Sequence, residues 1–127
     1  MPASQTHKRA YMQSRLREEI ARARRYGTPF AIAVFEAVAS DGLPLRKKME
    51  YALSMIAGAV RTSDVVALAF EDTIVVLLVQ TDAATMKDAL LRIRNGVSRQ
   101  AGGWQMTTYV FPRDEAAIEA LPLFTAA

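Results

Sequence analysis

The sequence predicts an α+β fold, a small sheet covered by helices, and three observations carry that prediction. The stretch Val65 to Val79, VVALAFEDTIVVLLV, sets two runs rich in valine, isoleucine and leucine on either side of Glu71 and Asp72. That is the pattern of two buried antiparallel strands joined by a tight hairpin. Amphipathic segments at Leu45 to Arg61 and Asp82 to Val97 flank the hairpin and are its natural cover. Finally, 127 residues with 51% hydrophobic content give room for a real core in one domain spanning residues 1–127.

Taken in order, residues 1–6 read as a frayed tail. His7 to Tyr26 reads as a helix, with Met12, Leu16, Ile20 and Ala23 at helical spacing and seven basic residues among the polar positions. Gly27 ends it, with Pro29 two residues on. Phe30 to Glu36, FAIAVFE, is a strand whose near-continuous apolar character implies burial on both faces and a central place in the sheet. Ala39 to Pro44 is turn chemistry, sharpest at Asp41 and Gly42. The next helix carries Met49, Ala52, Leu53, Ile56 and Val60 as its apolar stripe, and Arg46, Lys47, Lys48 and Glu50 are read as lying off it. After the hairpin, Thr81 is the expected cap of a third helix whose Met86, Leu90, Ile93 and Val97 face the core. Ala101 to Gly103 is a turn, Trp104 to Phe111 a last strand in which Trp104 packs, and Glu115 to Leu121 a short acidic helix. The order is a helix, then βαββαβ, then a helical tail: a ferredoxin-like core with an added N-terminal helix.

That order names no chemistry by itself. The chain has no cysteine, which removes disulfides and thiolate metal sites, and makes the cytoplasm the expected location. No apolar run is long enough to span a bilayer, so no membrane insertion is expected. A net charge of +3 permits an anionic partner without requiring one. RNA-recognition modules stack bases on exposed aromatics, whereas the corresponding strand here offers Ile74, Val75, Val76, Leu77 and Leu78, so no nucleic acid polymer is expected. The single histidine, His7, lies near the chain end, which argues against a triad or a histidine metal site. Gly102 and Gly103 precede a strand and not a helix, which removes phosphate-loop readings.

A resemblance covers most of the chain. HKRAYMQSRLREEIARARRYGTPFAIAVFE resembles the opening of a GGDEF domain, the diguanylate cyclase family, in which a basic helix leads through a "YGxP" turn into the first strand. RTSDVVALAFEDTIVVLLVQTD is similar to the family block R-x-S-D, strand, G-G-D-E-F-A-V-L-L-P-x-T, and MKDALLRIRNGV and TYVFPRDE to its following helix and last strand. The resemblance implies a nucleotidyl-cyclase-like fold and a bacterial origin. It also exposes departures. Against G-G-D-E-F stand Phe70, Glu71, Asp72, Thr73 and Ile74, so only the metal-ligand aspartate survives. Glycines there let the backbone approach GTP phosphates, a space that a phenylalanine ring and a glutamate would block and charge unfavourably. Glu36 matches the first metal-binding aspartate, Val38 stands where a second acidic residue is expected, and the segment that holds guanine is missing between Ala39 and Leu45. Cyclase activity is therefore not expected, and no cofactor. Glu36 and Asp72 remain the only metal candidates, a two-carboxylate set that lacks the substrate phosphates Mg²⁺ normally shares.

One family feature persists. Arg61, Thr62, Ser63 and Asp64 spell RxxD at the register of the family's inhibitory site for cyclic di-GMP, and Arg92 matches the additional arginine of that site. An arginine fork suits guanine O6 and N7 or a phosphate, and a carboxylate accepts from guanine N1 and N2. Each residue also has an ordinary structural use: Arg61 at a helix end, Asp64 in a turn, Arg92 on a polar face. Two readings follow. One is an inactive GGDEF-like receptor for cyclic di-GMP, acting through Arg61, Asp64 and Arg92 on a protein partner. The other is a ligand-free interaction or homodimerisation module with the same fold.

Overall fold

The computed structural model describes residues 7–38, 44–100 and 103–125. The expected frayed tail at residues 1–6, the turn at Asp41 and Gly42, and Ala101 and Gly102 of the turn before Trp104 lie outside the described residues.

The elements are β1 (His7–Lys8), α1 (Arg9–Tyr26), β2 (Phe30–Ala37), α2 (Leu45–Ala59), β3 (Val65–Phe70), β4 (Thr73–Leu78), α3 (Ala83–Gln100), β5 (Trp104–Phe111), α4 (Glu115–Glu119) and α5 (Pro122–Thr125). The sheet runs β1-β3-β4-β2-β5. Its last four strands pair antiparallel throughout, with Val34 opposite both Val75 and Thr107. This is the α+β, ferredoxin-like arrangement the sequence predicts, with the hairpin and the FAIAVFE strand at its centre. A short parallel pairing of His7 and Lys8 with Ala67 and Leu68 adds an edge strand where a helical start was expected. Helix α1 begins only at Arg9, because Lys8 holds an extended conformation with ψ 166°.

Period-two alternation sends successive side chains to opposite faces, and both faces are buried. Phe30, Ile32, Ala67, Val75 and Leu77 meet Met12, Leu16 and Ile20 of α1 and Ile118 and Leu123 of the tail. Ala31, Phe35, Val66, Ile74 and Val76 meet Met49 and Ile56 of α2 and Met86, Leu90 and Ile93 of α3. The two helices flanking the hairpin therefore share one face, as right-handed crossovers of like sense require. The other face is closed from the two ends of the chain. Arg24 of α1 binds Glu115 and Glu119 of α4, so part of the basic helix is spent on the acidic tail. That hydrogen bond also holds the Glu115 carboxyl below its ordinary range.

Two further details differ from expectation. Asp82, not Thr81, caps α3: its Oδ1 accepts from the Thr85 amide at 2.9 Å, and the Asp82 amide donates back to Thr85 Oγ1 at 3.1 Å. Thr81 is buried and points to the strand end. Lys48, read as polar surface, is buried on the α2 side. No helix among the described residues is long and apolar enough to cross a membrane.

Strand β4 pairs on both sides and every residue in it is buried. Its amides from Ile74 to Leu78 are expected among the slowest to exchange with solvent, opening only with global unfolding. Hydrogen exchange followed by NMR checks this, and loop-like exchange across the segment would contradict the central placement.

Candidate functional site

The chain leaves α2 at Val60 and turns through Arg61 to Asp64 into β3, and the turn closes with an Asp64 amide to Arg61 carbonyl bond of 3.0 Å. The Asp64 carboxylate is only 2% exposed, while the Arg61 side chain is 52% exposed. Asp64 Oδ2 accepts from the Arg61 amide at 2.9 Å and from Arg61 Nε at 3.3 Å. Asp64 Oδ1 accepts from Arg61 Nη2 at 3.2 Å and from the Val79 amide at 3.1 Å. Arg61 Nη2 also donates to Thr81 Oγ1 at 3.0 Å and to the Val79 carbonyl. The arginine and aspartate thus pin the end of β4 to the entry of β3. Arg61 Nη1 has no partner among the described residues and stays available for an anion.

Beyond Val79, Gln80 holds a left-handed conformation with φ 49°, unusual for a residue with a side chain. This bend delivers Thr81, whose amide donates to the Pro29 carbonyl, and then the Asp82 cap. Helix α3 leaves the cap past a pocket of about 270 Å³ lined by Arg61, Asp64, Gln80, Thr85, Asp88 and Arg92 among others. The fold therefore brings together all three residues the sequence singled out. Arg92 is exposed and makes no hydrogen bond or ion pair among the described residues. Asp88, one turn before it, is likewise exposed and unpartnered there. Sequence reasoning passed over Asp88, although its place four residues before Arg92 sets both on one side of the helix. The helix N-terminus itself is taken: hydrogen bonds from the Thr85 hydroxyl and amide hold the Asp82 carboxyl below its ordinary range, so it is ionised near neutrality.

The hairpin end is a separate place. Glu36 and Asp72 both line a pocket of about 420 Å³ walled by Val34, Phe70, Tyr109 and Leu123. The β3–β4 register shifts between Leu68 and Phe70, so the extra residue, Ala69, leaves both Ala69 and Phe70 turned to the α1 face. Arg9 covers the Phe70 ring at 4.8 Å and donates to the Ala69 carbonyl at 3.1 Å. The position where the resemblance puts the first glycine is thus a packed aromatic wall. Among the described residues no three His, Asp or Glu side chains gather to hold a metal ion. Asp72 Oδ1 accepts from Thr73 Oγ1 at 2.9 Å. Two carboxylates alone do not complete the six-oxygen shell of Mg²⁺, and the residue beside them in the pocket lining, Phe70, offers no further ligand.

No family model matches the chain, and no curated protein matches it by sequence. Solved structures do match. A DGC protein from Thermotoga maritima superposes with a TM-score of 0.72 at 22% identity, covering 93% of this chain and 94% of that one. Diguanylate cyclase SiaD from Pseudomonas aeruginosa, in complex with its activator SiaC, superposes with a TM-score of 0.68 at 17% identity, over 89% of this chain and 51% of that one. The GGDEF domain of DgcB from Caulobacter crescentus, in complex with c-di-GMP, gives 0.60 at 14% identity over 87% of this chain and 72% of that one. At these identities the likeness establishes the fold, and the chain carries the fold of the GGDEF, diguanylate-cyclase-like domains.

Proposed function

We propose that this domain is a cytoplasmic receptor for cyclic di-GMP without cyclase activity, and that it passes occupancy of the Arg61, Asp64 and Arg92 site to a protein partner. The observation that carries the reading is the pocket itself, which collects these residues from the α2–β3 turn and from α3. Arg92 supplies a positive charge that pairs with no described residue, and Arg61, although paired with Asp64, keeps its Nη1 donors unused among the described residues. Asp64 holds the Arg61 guanidinium in place. A volume of about 270 Å³ lies just under the ~300–1,000 Å³ that encloses drug-sized ligands. The pocket therefore receives one base, with the rest of the dinucleotide on the surface. Support for the ligand comes from the DgcB domain, solved with c-di-GMP, and support for a protein partner from SiaD, solved with SiaC. Loss of catalysis follows from the packed Phe70 wall and from Thr73 in place of the signature glutamate.

Calorimetry with cyclic di-GMP, cyclic di-AMP and GTP in parallel, at fixed ionic strength, tests the reading. Cyclic di-GMP is expected to bind, and Arg92→Ala to weaken it about ten- to a hundredfold, the worth of a charge-assisted contact. GTP with Mg²⁺ is expected to stay unconverted. Absence of heat with cyclic di-GMP at millimolar concentration would favour the ligand-free interaction module.

A further inference from the structure

A carboxylate offers about four acceptor positions, and in Asp64 all four are occupied within the chain. The group is also 2% exposed, so a ligand reaches it only by breaking bonds to the Val79 amide and to Arg61. A guanine needs an acceptor nonetheless, since its Watson–Crick edge presents the N1 and N2 hydrogens while O6 and N7 take an arginine fork. Within the same pocket Asp88 is an exposed carboxylate with no hydrogen bond or ion pair among the described residues. Arg92 follows it by one helical turn, and the two are not paired with each other. Side chains at that spacing leave Cβ atoms about 5–6 Å apart on one helix face, so both can reach the same ligand.

We infer that Asp88 is the specificity-determining residue of this pocket: it accepts from guanine N1 and N2 while Arg92 donates to O6 and N7 of the same base. Arg61 Nη1 then faces the phosphate side. Asp64 becomes a positioning residue, acting through Arg61. The inference rests on the reading of the pocket as a cyclic di-GMP site.

The charge of Asp88 gives the test a distinctive sign. Towards guanine the carboxylate is an acceptor, but towards any phosphate it is a repulsive charge. Asp88→Asn is therefore expected to weaken cyclic di-GMP about ten- to a hundredfold. The same variant is expected to bind cyclic di-AMP as well as the native protein or slightly better, because adenine presents no N1 and N2 hydrogen pair. Cyclic di-IMP, which lacks the 2-amino group, isolates the contact: the native protein should prefer cyclic di-GMP over it, and Asp88→Asn should lose most of that preference. The melting temperature of Asp88→Asn should match the native value, since the side chain is exposed and unpartnered. Native-like affinity and selectivity in Asp88→Asn would overturn the inference while leaving the receptor reading intact. Failure of the native protein to bind cyclic di-GMP would overturn both.

Discussion

Asp64→Ala is expected to cost about 3 kcal/mol of folding stability, roughly a hundredfold in the folded-to-unfolded ratio. The carboxylate is the sole side-chain acceptor for the Arg61 and Val79 amides, at 2.9 and 3.1 Å, and the second of these bonds is fully buried. Removing it orphans two backbone donors at a corner where β4 ends and β3 begins, each at about 1–3 kcal/mol when water cannot replace the partner. The lost pairing with the Arg61 guanidinium adds less, because that side chain is 52% exposed and solvent screens it. In a domain of this size the loss corresponds to a fall of roughly 10 °C in melting temperature. Asp64→Asn keeps the shape but turns an NH₂ group towards N–H donors, so it should lose a large part of the same stability. Thermal unfolding by circular dichroism reads both variants. A melting temperature within a degree or two of native for Asp64→Ala would show that the corner is held by other contacts.

The same corner shows what a sequence does and does not carry. RxxD and Arg92 were legible as a set, and the fold does gather them at one pocket. That both oxygens of Asp64 are committed within the chain is not legible, because one of the donors, the Val79 amide, belongs to a strand end 15 residues away. The strands were legible for a simple reason: FAIAVFE and the hairpin are apolar on both faces, and both faces are covered. The side on which α2 and α3 lie was not, since periodicity marks an apolar stripe without saying which face of the sheet receives it. The edge pairing of His7 and Lys8 escaped for a related reason, being two residues long and set by where β3 happens to run. Residue type alone favours Thr81 as the cap, and only the turn at Gln80 reveals that Asp82 is the residue whose carboxylate reaches the first turn of α3.

At the hairpin the departures from the GGDEF signature are not neutral fillings of an otherwise intact site. The irregularity around Ala69 turns Phe70 towards the α1 face, where the core and Arg9 hold its ring. A phenylalanine packed in this way contributes to stability, so this end of the hairpin takes part in the packing of the α1 face. The pocket at Arg61 and Arg92 and the one at the hairpin lie at different places in the fold and share no lining residue among those described. A substitution at one of the two places is therefore expected to leave the lining of the other unchanged.

Lys48→Ala is the second substitution with a large expected effect, a cost of about 2–3 kcal/mol, although residue type places Lys48 off the apolar stripe of its helix. Spacing pointed the other way: Lys48 precedes Ala52 by four residues and Ile56 by eight, on the buried side of α2. Residue type overrode that signal, since lysines are seldom fully buried. In the folded chain the residue is 2% exposed, its stem lies in the core and its Nζ donates to the Gly103 carbonyl at 3.0 Å. The ammonium also sits over the Trp104 ring at 5.2 Å. Gly103 accepts from the Val38 amide at 2.9 Å as well, so Lys48 ties α2 to the ends of β2 and β5 through one shared acceptor. Truncation to alanine leaves that acceptor one partner, removes the cation from the indole face and opens a cavity where the methylenes were, each buried CH₂ being worth about 0.8 kcal/mol. Lys48→Met separates these contributions, because it refills the cavity without the charge. Recovery of most of the loss in Lys48→Met, followed by urea unfolding, is the expected result and would assign the effect to packing. An equal loss in both variants would assign it to the ammonium and its contacts instead, and native stability in Lys48→Ala would contradict the burial of this side chain.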